Sequence, residues 1–212
     1  MNTFTDQLLV FVMLLNFLVL GVSSINVSIR AVALQGIALG LLPLLLHPIS
    51  WRISILALVI VLAKGIIIPS LLRRAMLRVP IRREIEPYLG YVPSLLIGAL
   101  ATALSFAFAS KLPLASGHNE HLLVPAALAT FVTGFLVLTT RRKAITQVIG
   151  YLLLENGIFI FGQLLTEAIP FMVEAATLLD LIVGIFVMGI IINQISREFS
   201  SIDTARLTAL KE

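Results

Sequence analysis

Residues 7–29 and 31–51 contain no Asp, Glu, Lys or Arg, and five further runs of similar length contain at most one. A helix crossing the hydrocarbon core of a bilayer needs about 20 predominantly apolar residues, so this spacing of charge constrains the fold more than any motif does. It predicts seven transmembrane helices, at approximately 7–29, 31–47, 53–72, 88–110, 122–140, 144–166 and 171–196. Stretches such as 41–46 and 53–62 do not alternate apolar with polar residues, which argues against the strands of a membrane barrel. The expected fold is therefore an all-α polytopic membrane protein, a single transmembrane domain over residues 1–212. Composition agrees: 59% of residues are hydrophobic and 12% charged, against about 25% charged in soluble domains.

The first run is expected to be a retained helix rather than a signal peptide, because its flank holds Asp6 and no Lys or Arg. The net charge of +4 fits a membrane surface better than nucleic acid, since the basic residues lie beside apolar segments. The absence of cysteine excludes disulfides, iron–sulfur clusters and thiolate metal sites. Three scattered histidines, His47, His118 and His121, offer little to haem or zinc. No cofactor or metal is expected, and electron transfer belongs to other proteins.

Positive residues sort by side. Arg30, Arg73, Arg74, Arg78, Arg82, Arg83, Arg141, Arg142, Lys143, Arg197, Arg206 and Lys211 fall on one side of a seven-helix topology, twelve of the 15 Lys and Arg residues. Arg52 and Lys111 fall on the other. This asymmetry predicts an N-terminus outside and a C-terminus in the cytoplasm. It also reads the basic segment 73–87 as a topology signal first and a partner surface second. The expected location is the bacterial or archaeal plasma membrane.

Lys64, Glu155 and Asp180 lie within the third, sixth and seventh predicted helices. A charge at the centre of a spanning helix costs roughly 2.5–3.5 kcal/mol, so three unpaired ones would cost on the order of 8–10 kcal/mol. They must face partners or water, or be neutral. Low dielectric disfavours the charged form of an acid and of an amine alike, which makes proton exchange between them an accessible step. The functional reading is a proton relay of Glu155, Asp180 and Lys64, with Gln35 and Asn156 as polar neighbours. The bland reading is a static ion pair between helices. For Asn16, Gln35 and Gln163 the stronger reading is bridging between neighbouring helices, as single amides in membranes do. Pro69 deprives the Gly65 carbonyl of its helical partner, and Gly36 with Gly40 forms a small-residue face suited to close packing. Gly65-Ile66-Ile67-Ile68 and Gly189-Ile190-Ile191-Ile192 suggest a weak parallel repeat of residues 7–72 and 124–197.

The string Thr139-Thr140-Arg141-Arg142-Lys143-Ala144-Ile145 leads into Ile149-Gly150-Tyr151-Leu152-Leu153-Leu154-Glu155-Asn156-Gly157. It resembles hydrogenase-4 component E, a membrane subunit of formate hydrogenlyase-type group 4 nickel–iron hydrogenases, as does the ending Leu207-Thr208-Ala209-Leu210-Lys211. The last three helices are also similar to the small K subunit of bacterial complex I, with Glu155 on its first acid and Asp180, an Asp for a Glu, on its second. The resemblance implies a non-catalytic subunit of an oxidoreductase membrane arm. It implies antiporter-like membrane partners, a nickel–iron peripheral arm, and a place in the membrane arm where carboxylates and lysines couple redox chemistry in a partner to proton or cation movement. A multisubunit cation/proton antiporter and a purely structural scaffold remain open alternatives. A retinal protein with Lys64 as Schiff base fits poorly, because the chain has one Trp, Trp51, at an interface.

Overall fold

The computed structural model describes residues 2–48, 50–77, 87–112, 122–165 and 189. Among them, every extended element is helical: α1 (Asn2–Gly21), α2 (Ile25–Leu46), α3 (Trp51–Leu77), α4 (Tyr91–Ala109), α5 (Leu123–Thr140) and α6 (Ala144–Leu165). All six are long and apolar enough to cross a membrane. The seventh predicted helix, 171–196, the second half of the suggested repeat and Asp180 lie outside the described residues.

The helices begin and end where turn chemistry dictates rather than where charges fall. Residues 22–24 (Val-Ser-Ser) follow Gly21 and separate α1 from α2, and Ser24 is the N-cap. Arg30 therefore sits inside α2, not at a boundary between the first two spans. Ser50 caps α3 by accepting a bond from the Ile53 amide.

α2 crosses the middle of the bundle, contacting α1, α3 and α6, and α5 and α6 form the most extensive pair. Missing side chains make both contacts possible. A Cβ on Gly36 would stand 2.6 Å from the Lys64 backbone carbonyl carbon, and one on Gly40 would crowd Val61. The small-residue face of α2 is thus pressed against α3 beside Lys64. On α5 and α6, a Cβ on Gly134 would stand 2.6 Å from Leu154 Cα, and one on Gly157 2.5 Å from the Phe131 amide nitrogen. Burial then groups into two apolar clusters, one containing Ile29, Leu72, Ile149 and Leu153, the other Leu9, Leu39, Ile60 and Ile160. The outer faces of α3 and α4 expose Ile55, Leu58, Ile66, Leu96, Leu100 and Phe108, as helices bounded by lipid or protein do.

Both ends of the bundle are tied. At one end the Arg141 guanidinium is buried, donates to the Leu20 carbonyl at 2.8 Å and stacks 4.5 Å from the Tyr91 ring centroid. A cation there satisfies a carbonyl in the last turn of α1 and opposes that helix's negative end. At the other end the Leu122 amide donates to Asp6 Oδ1 at 3.2 Å. Arg141, which the sequence only counts among the positive residues of one side, is an interior staple joining α1, α4 and the α5–α6 turn.

Candidate functional site

Lys64 sits in a break of regular geometry. Residues Val61–Ile67 form a π-helical turn within α3, in which the Ile68 amide reaches back to the Ala63 carbonyl. The local cause is in the sequence: Pro69 has no amide hydrogen to offer Gly65, and Gly65 with Gly36 opposite permits the widened turn to lie against α2. π-Turns of this kind recur at functional positions because they re-aim one side chain.

The ammonium points into the bundle. Lys64 Nζ lies 2.7 Å from Glu155 Oε1, and both side chains are almost fully buried, at 5% and 2% exposure. The same ammonium donates to Asn156 Oδ1 at 3.3 Å and stands 5.4 Å from the Phe159 ring centroid. Glu155 and Asn156 are consecutive on α6, so one turn of helix presents an acid and an amide to one lysine. Beyond the ammonium, neither carboxylate oxygen has a hydrogen-bond partner among the described residues.

From Asn156 the polar contacts run sideways through the bundle. Asn156 Nδ2 donates to Gln35 Oε1 at 3.4 Å. Gln35 Nε2 donates to Asn16 Oδ1 at 2.8 Å and to the Val12 carbonyl at 3.0 Å. Asn16 Nδ2 donates to Thr130 Oγ1 at 2.9 Å. Lys64, Glu155, Asn156, Gln35, Asn16 and Thr130 are all buried. They come from α3, α6, α2, α1 and α5, so the row crosses the helices instead of following one of them.

Comparison with known proteins agrees with this picture. An uncharacterized protein of Mycobacterium tuberculosis is 30% identical over 187 residues, covering 87% of this chain and 85% of its own length. Hydrogenase-4 component E of Escherichia coli K12 is 30% identical over 152 residues, covering 71% of this chain and 69% of the relative; that of Shigella flexneri matches to the same extent. The chain belongs to the hydrogenase-4 component E family. No family model and no solved structure matches it.

In this component E homologue, four of the five residues singled out from the sequence as relay candidates meet: Lys64, Glu155, Asn156 and Gln35. The fifth, Asp180, lies outside the described residues. Asn16 joins them. Gln163 is buried but two turns further along α6, roughly 12 Å from Glu155 by helical rise. Gln147 donates to the Arg141 carbonyl at 3.0 Å and belongs to the end staple.

Sequence reasoning missed Thr130, Phe159 and Arg141. A threonine in an apolar helix ordinarily bonds its own backbone, so nothing local announces that Thr130 serves Asn16. Phe159 is legible only through its spacing, one helical turn after Glu155 and so on the same face. Arg141 stands at the head of the basic triplet Arg141-Arg142-Lys143, where a topological role is enough to explain it.

Proposed function

We propose that this chain is a non-catalytic membrane subunit of a hydrogenase complex, and that its Lys64–Glu155 pair takes part in ion translocation coupled to redox chemistry in partner subunits. The family assignment supports the first half. The observation that carries the second is a buried acid whose charge partner is a lysine at 2.7 Å, with the amide of Asn156 on the same ammonium at 3.3 Å.

In the exchange, a proton leaves Lys64 Nζ and bonds to a Glu155 carboxylate oxygen. The ion pair becomes an amine and a carboxylic acid, with no change in net charge. Asn156 accepts from the ammonium, and an amide acceptor can also orient the neutral amine. Gln35 fixes the Asn156 amide from the other side. Asp180 is expected to add a second acid, on the resemblance of the last predicted helices to the small K subunit of bacterial complex I. The proposed setting is the plasma membrane, with antiporter-like subunits and a nickel–iron arm as partners.

One observation favours a scaffold instead: the amides of Asn16, Gln35 and Asn156 bond across four helices, as a static brace would. Glu155→Gln separates the two readings, because it keeps shape but cannot titrate. The relay reading expects full incorporation into the complex and proton translocation reduced about a hundredfold or more, as loss of a positioned acid–base group does. The brace reading expects poor incorporation, since Lys64 loses its counter-ion. Measuring both quantities in the same membranes decides; full incorporation with unchanged translocation contradicts the relay.

A further inference from the structure

The outer faces of α2 and α3 meet along a groove. Arg30, Leu34, Ile37 and Leu41 recur at helical spacing as the exposed stripe of α2, and the exposed positions of α3 include Leu62, Ile66 and Arg73. Between these stripes the helices approach closely: a Cβ on Gly65 would stand 2.6 Å from Ile37 Cγ1, and one on Gly36 2.6 Å from the Lys64 carbonyl carbon. The groove is apolar along its length and ends in one arginine from each helix. We propose that it seats one anionic phospholipid, with the phosphate between Arg30 and Arg73 and an acyl chain along Ile37 and Ile66. This goes beyond the ion-transfer reading and does not depend on it.

The two arginines stand at nearly one depth. Counted from the contact of Gly36 with Lys64, Arg30 lies about 9 Å and Arg73 about 13 Å toward the same end of the bundle, by helical rise. That difference is shorter than one arginine side chain. Both also flank one helix–helix contact. Ile29 and Leu72, each the preceding residue, are buried in the same apolar cluster, and Arg30 and Arg73 turn outward from it. Arg74 is exposed too, but it stands about 100° further round α3, away from the Gly65 side that meets α2. Guanidinium groups match phosphate oxygens with paired N–H donors. A free inorganic anion would use the arginines and leave the apolar groove bare, whereas a phospholipid matches both parts. Basic pockets between membrane helices recognise anionic headgroups in this way. The sequence 73–86 holds five arginines and two glutamates, so this end keeps a positive excess however its ion pairs form. Leu62 and Ile66 belong to the π-helical turn that carries Lys64 inward, so a seated chain braces that turn from outside.

Photolabelling of the assembled complex tests this. The full chain, in its complex, is reconstituted in phosphatidylcholine bilayers holding a small fraction of photoreactive phosphatidylglycerol or photoreactive phosphatidylcholine, each with a diazirine in its acyl chain. Labelled peptides are then read by mass spectrometry. Phosphatidylglycerol should label the stretches around Ile37 and Ile66 about twenty-five-fold more than phosphatidylcholine does, from about fivefold per arginine beside an anionic headgroup. Arg73→Gln should lower that preference about fivefold, Arg74→Gln should leave most of it, and Arg30→Gln combined with Arg73→Gln should bring the two probes to equal labelling. Equal labelling by the two probes in wild type overturns the proposal. So does an absence of label from both stretches, which would mean that protein covers the groove. A loss in Arg74→Gln as large as in Arg73→Gln overturns it as well, since the preference would then belong to the general field of the basic end. If the double variant does not enter the complex, the wild-type ratio alone decides.

Discussion

Gln35 has no exposed surface and makes three hydrogen bonds, to Asn16, Val12 and Asn156. Gln35→Leu fills similar volume but strips a partner from both neighbouring amides. Each buried polar group left unsatisfied costs about 1–3 kcal/mol, and membrane interiors give values toward the lower end. The expected outcome is a clear fall in the thermal midpoint of the detergent-extracted protein, with α-helix content retained; an unchanged midpoint would mean that the row is not coupled. At this scale the sequence was informative where charge was involved. Lys64 and Glu155 stand out because the hydrocarbon makes them expensive. Thr130 and Arg141 do not, because a hydroxyl can satisfy itself locally and a basic residue at a helix end has an ordinary topological explanation.

The elements are shaped by small residues and by breaks in regular geometry. Gly134, Gly150 and Gly157 let α5 and α6 touch backbone to backbone, and this brings Thr130 and Glu155 into one bundle centre. A Cβ on Gly134 meets Leu154 backbone atoms, which cannot rotate away, whereas one on Gly90 meets nothing nearer than Pro93 Cδ at 3.6 Å. Gly134→Ala should therefore destabilise by about 1–3 kcal/mol, as overpacking does, and Gly90→Ala should be near neutral. Thermal denaturation of the two variants side by side checks the difference; equal midpoints would contradict the close approach. The helical class and the Gly36–Gly40 contact were legible from apolar runs and glycine spacing. The π-turn was legible only in part. Pro69 signals that a carbonyl is released, but whether the helix answers with a kink, a water or a wider turn depends on α2 packed opposite. The boundary between α1 and α2 was obscured because Arg30 draws attention away from the Gly-Val-Ser-Ser turn that ends α1.

For the whole molecule, six described helices are long and apolar enough to cross a membrane, and if each crosses once, Leu165 lies on the same side as Asn2. A cytoplasmic C-terminus then requires residues 171–196 to cross once more, as the twelve-to-two sorting of basic residues implies. Reporter fusions after Thr166 and after Glu212 should be active on opposite sides of the membrane, the second in the cytoplasm; activity of both on one side would remove the seventh crossing. The central row of side chains crosses the helices rather than running along one of them, and its described members are buried. Its function is best read in the assembled complex. The most direct measurement is redox-triggered infrared difference spectroscopy of that complex, which detects the carbonyl stretch of a carboxylic acid as it gains or loses a proton. A carboxyl band present in wild type and absent in Glu155→Gln is the predicted result. Identical difference spectra from the two proteins would show that Glu155 keeps one protonation state throughout, and would contradict the account.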